Sequence, residues 1–144
     1  MQHSAWHHCS AADLEFGRRF EAGEVPPSAF AHRDHIRLAY VYLAEGAAEA
    51  AYQRMQSALQ DFIRYNGIDP AKYHETLTRA WILAVDHFMH QSTPAASAAE
   101  FIAMNPRLLR KEAMGTHYSD ALLFSRQARS RFVEPDLMPI PRHA

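Results

Sequence analysis

"AEAAYQRMQSALQDFIRY", residues 48–65, settles the fold class of this chain. Its apolar side chains recur at Ala48, Ala51, Tyr52, Met55, Leu59 and Phe62, the i, i+3, i+4, i+7 spacing that places them on one face of an α-helix. Gly46 stops the helix before it, and Asn66-Gly67 is a C-terminal stop signal.

Outward from this helix the same period continues. On the N-terminal side a helix runs from near Phe30 to about Glu45, preceded by a loop over Glu24–Ser28 in which Pro26 and Pro27 block helix. Ser10 with Asp13 marks the start of a first helix, Ala11 to Ala22, whose apolar face is Leu14, Phe16 and Phe20. On the C-terminal side Asp69-Pro70 turns into a fourth helix, about Ala71 to His90, with the stripe Leu77, Trp81, Val85 and Phe88. Short helices follow at Ala98–Met104 and Pro106–Ala113, then a last one from Asp120 to about Phe132. Residues 1–9 read as a loose start and 133–144 as an extended, proline-rich tail lying back across the bundle. No alternation supports a strand. The expected architecture is all-α: one domain over 1–144, a helical bundle whose consecutive long helices run antiparallel through short connections.

Composition narrows the partners. A chain of 144 residues buries a core without staples, and 48% apolar with 22% charged residues is ordinary for a soluble globular protein. A net charge of −1 and the absence of a long basic run argue against nucleic acid or a membrane surface as the main partner. No segment is apolar enough to span a bilayer, and no secretory leader is visible. The single cysteine, Cys9, permits no internal disulfide and fits a cytoplasmic location. A small-molecule substrate and a homodimeric assembly are the partner classes left open.

The unusual feature is ten histidines. His32 and His35 are three apart at the start of the second helix, which puts both on one face and lets two imidazoles converge on a metal. His74 stands on the same face as the fourth helix's apolar stripe, with Thr78 one turn below it and Glu75 about 100° round the helix. Two helices separated by a third run the same way, so His32, His35 and His74 meet at one end of the bundle. Three neutral imidazoles with an open fourth position suit catalytic zinc, and the addition of Glu75 suits iron; copper is the third candidate. Glu75 would serve as fourth ligand or general base, or else pair with Arg79 outside, and Tyr73 and Thr78 would supply hydroxyls at the pocket edge. The expectation is a metal-dependent enzyme acting on a small molecule. The alternatives are a non-catalytic binder of metal, haem or a small ligand, and a helical interaction module whose histidines only hydrogen-bond. His87 and His90 read as a surface or capping pair at the far end, while His3, His7, His8 and Cys9 read as adventitious metal binders. His117 cannot be oriented from sequence.

The stretches "FAHRDHIRLAYVYL" and "KYHETLTRAW" resemble a family of short, mostly uncharacterised bacterial proteins with an H-x-x-H-[hydrophobic] helix and a later Y-H-E-T-x-T segment. The resemblance covers roughly 30–83, with "YSDALLFSRQAR" and "EPDLMPIP" adding to it. It implies that His32, His35, His74, Glu75, Thr76 and Thr78 belong to a shared motif, and it supplies no activity. In architecture the chain also resembles DinB-like metal-binding bundles. Those pair two histidines four apart on a late helix, whereas the closest pairs here are three apart.

Overall fold

The computed structural model describes residues 6–143. Among the described residues seven α-helices, α1 (Ala11–Glu21), α2 (His32–Glu45), α3 (Ala48–Tyr65), α4 (Glu75–Gln91), α5 (Ala98–Met104), α6 (Asp120–Leu123) and α7 (Arg126–Ser130), form an all-α bundle. Short 3-10 turns at Pro27–Ala29, Pro70–Lys72, Pro106–Leu109 and Lys111–Thr116 connect them, and no strand occurs among the described residues.

Two helices are buried on nearly every side. In α2, Leu38 to Leu43 are six consecutive buried residues, because α1, α3, α4 and α5 all pack around it. In α4 the buried run is Ala80 to Asp86, enclosed by α2, α3 and α7. A helix that is covered all round loses the one-sided pattern of a surface helix. α3 keeps it, burying Ala51, Met55, Ala58 and Phe62. Its end is closed at Gly67, where φ is +62, a left-handed conformation that glycine adopts without a side-chain clash.

Several boundaries differ from those the period predicts. In α1, Phe20 is buried as expected but Leu14 is 46% exposed, and Asp13 goes inward instead. Asp13 completes a capping box with Ser10 and also accepts from the Ala98 N–H at 2.9 Å and Arg37 Nε at 3.0 Å, so one carboxylate joins α1, α2 and α5. Burial works against its charge, but those donors outweigh it and hold the carboxyl below its usual range. The fourth helix begins at Glu75 rather than Ala71, because His74 is its N-cap. The expected helix over Pro106–Ala113 is two 3-10 turns broken at Arg110, and that over Asp120–Phe132 is α6 and α7. The second break lies at Ser125, whose hydroxyl accepts from the Ala128 N–H at 3.1 Å and donates to the Leu122 carbonyl at 2.7 Å. A serine that offers the backbone these bonds ends one helix and starts the next.

The start of the chain is not loose where it is described. Trp6 Nε1 donates to the Leu43 carbonyl at 3.1 Å. His7 is 2% exposed, with Nε2 2.7 Å from the Met89 carbonyl and Nδ1 accepting from the Ala95 N–H at 3.0 Å. An aromatic residue and an imidazole with both nitrogens engaged anchor residues 6–9 against α2 and α4. His3 lies outside the described residues. The tail is extended as expected. Tyr118 Oη holds the Val133 carbonyl at 2.7 Å, and Ile140 is buried against the bundle.

Candidate functional site

The starts of α2 and α4 lie at one end of the bundle, where His32, His35 and His74 line two adjoining cavities. One, of about 510 Å³, is bounded by His32, His35, Leu77, Trp81, Met114 and Leu123. The other, of about 330 Å³, is bounded by Phe30, His35, Leu59, Phe62, Tyr73 and His74. The three imidazoles thus neighbour one another, but they do not converge on a point.

Two of them are already engaged with backbone. His74 caps α4 by accepting the Leu77 N–H on Nδ1 at 3.1 Å, and its Nε2 donates to the Leu123 carbonyl at 2.7 Å. These two bonds fix the neutral Nε2–H tautomer. Burial lowers its affinity for a second proton, against a smaller opposing pull from Leu123. His32 Nε2 lies 2.9 Å from the Leu108 carbonyl, and its ring packs edge-on to Trp81 with centroids 4.8 Å apart.

The same chemistry recurs elsewhere. His7 serves Met89, His90 serves Asp86 at 2.9 Å, and His117 serves Met138 at 2.8 Å, each time through a ring nitrogen on a carbonyl oxygen. Leu108 and Leu123 belong to the last turns of a 3-10 segment and of α6, and Met89 to that of α4, where carbonyls lack partners within the helix. His32, His74 and His7 are therefore spent on closing the ends of a 3-10 turn, of α6 and of α4. His117 points to the tail and not to the groove. Among the described residues, no group of three or more His, Cys, Asp or Glu side chains is arranged to hold a metal ion.

The remaining motif residues fasten α4 as well. Glu75 is 8% exposed and lies neither on the cavity rim nor against Arg79. It accepts from the Tyr52 hydroxyl and from Gln56 Nε2, 3.0 Å from each oxygen. Arg79 instead pairs with Glu49 at 3.2 Å. Thr76 Oγ1 donates to the Arg131 carbonyl at 2.9 Å and accepts from the Val133 N–H at 3.1 Å. Thr78 Oγ1 donates to the His74 carbonyl at 2.8 Å, a bond internal to the helix start. The segment Y-H-E-T-x-T thus ties α4 to α3, α6 and the tail through three successive side chains.

Two polar atoms stand apart. Among the buried side-chain nitrogens and oxygens, His35 Nε2 and Tyr73 Oη make no hydrogen bond. His35 belongs to both cavities and Tyr73 to the second. Burial, with His32 beside it as a lesser cause, pushes the His35 imidazole down to about 4, so it is neutral at physiological pH. Burial also pushes the Tyr73 phenol above its ordinary range, and the Glu75 carboxylate nearby adds to this. Sequence reasoning placed both residues at the pocket but did not separate His35 from its neighbours. It missed Tyr52 and Gln56 as partners of Glu75. Those two share a face of α3 at i, i+4, a signal for adjacency on α3 but not for what lies across from it.

No helix of the described residues is long and apolar enough to cross a membrane. The chain matches no protein-family model, no curated protein and no solved structure.

Proposed function

We propose that this protein binds a small, largely apolar molecule in the groove between the starts of α2 and α4, with the His35 imidazole as its polar anchor. The observation that carries this reading is the unpartnered His35 Nε2 between two cavities. An unpartnered buried polar atom costs about 1–3 kcal/mol, and a ligand hydroxyl or carbonyl at that nitrogen would offset it. Cavities of about 510 and 330 Å³ are in the range that small-molecule sites occupy. Walls of Phe30, Phe62, Leu77 and Trp81 favour a ring-sized ligand with one polar group. The Tyr73 hydroxyl is a second anchor at the cavity wall.

A metal ion is the second reading, because a neutral imidazole with a bare lone pair is also what zinc, iron or copper requires. A full set would require His74 to leave Leu77 and Leu123, and His32 to leave Leu108. Glu75 serves neither reading directly, since its oxygens are held by Tyr52 and Gln56. A cytoplasmic setting fits a lone cysteine whose thiol burial pushes up to about 11, which leaves it unreactive.

The test uses Trp81 as the reporter in a Trp6→Phe background. p-Cresol and toluene are titrated in turn, followed by zinc, ferrous and cupric ions. The expected result is saturable binding of p-cresol, tighter than toluene by roughly tenfold, with the difference abolished in His35→Leu. Saturation by one equivalent of a metal ion, lost in His35→Leu, would favour the second reading. No saturable change with any probe would sink both.

A further inference from the structure

At the C-terminal end of α4 three more histidines gather, outside the groove. His87 Nδ1 and His143 Nε2 are 2.8 Å apart. The His143 ring lies face to face with His90, centroids 4.1 Å apart and planes 3° from parallel. His90 Nδ1 sits 3.5 Å from the Asp86 carboxylate, and Trp6 packs on its ring at 4.8 Å. His143 belongs to the tail, so this cluster joins the far end of the chain to α4.

A hydrogen bond between two imidazoles needs a donor and a bare lone pair, so His87 and His143 cannot both be protonated while it stands. The face-to-face contact of His90 and His143 is likewise unfavourable between two cations. The surrounding charges supply little relief. Asp86 is buried and can offset one imidazolium. Glu45 lines the same cleft but is paired with Arg54 at 2.9 Å. Arg107 and His117 share the cavity on the other side of His87 and add no negative charge. In the tail, Glu134 is held by Arg142 at 3.0 Å. His7, beside Trp6, has both ring nitrogens occupied. The first proton taken up has a partner, and the second does not. Nor do the rings converge as metal ligands, since parallel imidazoles direct their lone pairs side by side.

We propose that His143 is a pH-responsive latch: it docks the last part of the tail, residues 139–143, on α4 while the His87–His90–His143 cluster carries at most one proton, and releases it when a second is bound, whereas residues 133–138 stay held by Thr76, Tyr118, His117 and Ser119. Burial, then the neighbouring His143, hold the His87 imidazole below its ordinary 6.5 in the docked state. The docked state therefore binds fewer protons than the free tail, and docking weakens as pH falls below about 6.5. Release would withdraw Ile140, 6% exposed when docked, and open the cavity of about 460 Å³ that it lines with Met138, His87 and Phe88.

Methyl NMR of the full chain tests this, with Ile140 as reporter and the buried Ile36 and Ile82 as controls for global folding. Between about pH 7.5 and about pH 5.5 the wild-type Ile140 methyl should move to its solvent-exposed shift while Ile36 and Ile82 stay in place. In His143→Phe, which keeps a flat ring on His90 and takes no proton, Ile140 should stay buried at both pH values. An Ile140 methyl already free in His143→Phe at neutral pH, together with release of the wild-type tail in acid, would assign the hold to the His87–His143 hydrogen bond and also support the latch. An Ile140 methyl that stays buried in acidified wild type, or moves with the same midpoint in both proteins, would overturn it.

Discussion

His74 Nε2 lies 2.7 Å from the carbonyl oxygen of Leu123, 49 residues away in sequence. With Nδ1 committed to the Leu77 N–H, the ring is a cap for α4 on one side and a tie to α6 on the other. His74→Ala removes both. The cap is worth about 1 kcal/mol and the orphaned carbonyl costs about 1–3 more, so a loss of roughly 2–4 kcal/mol is expected in urea unfolding. His74→Asn restores the cap alone and should recover about 1 kcal/mol of that. Equal losses in the two variants would show that the cap contributes nothing.

Glu75 should prove a positioning residue of the fold. Its carboxylate receives Tyr52 and Gln56 between α3 and α4. Glu75→Ala leaves two half-buried donors without their acceptor and should cost about 1–3 kcal/mol, with little change in p-cresol affinity per folded molecule. A large fall in affinity at unchanged stability would return Glu75 to the site.

His35→Leu should act in the opposite sense. Removal of a polar atom that has no partner, by a side chain of similar size, should raise stability by about 1 kcal/mol at neutral pH while weakening ligand binding. Thermal unfolding of the apo protein measures the first and the Trp81 titration the second. A destabilised variant would mean that His35 has a structural partner in solution.

The same residue sets an acid limb. The folded imidazole, at about 4, is depressed from 6.5, so the unfolded chain binds the proton that the folded one refuses. Stability should therefore fall as pH drops below 6.5 and level off near 4, by at most about 3 kcal/mol from this group. His74 and His7, both depressed by burial, act in the same direction. Urea unfolding across this range should show a shallower slope in His35→Leu than in wild type. Parallel slopes would place the proton uptake elsewhere.

The first described residues should matter more than a loose terminus would. Deletion of residues 1–9 removes the Trp6 bond to Leu43 and both His7 bonds, and exposes buried carbonyls of α2 and α4. A loss of about 3 kcal/mol or more is expected in denaturant unfolding. A truncated chain as stable as the full one would show the segment to be dispensable.

By itself the sequence determined the helical class and most helix positions. Local period and local caps carry that information, as along α3, at Ser10 with Asp13, and at Asn66-Gly67. It also brought His32, His35 and His74 to one end of the bundle, because chain direction alternates through short connections. What it could not determine was which histidine was free. Leu108, Leu123 and Met89 occupy His32, His74 and His7 through backbone carbonyls, and a carbonyl has no side-chain signature to read. The partners of Glu75 on α3, and the meeting of His143 with His87, likewise depend on contacts between segments distant in sequence. Periodicity reports which face of a helix a residue occupies. Only the packed tertiary structure decides what stands opposite, and that left His35 Nε2 as the unclaimed nitrogen at the groove.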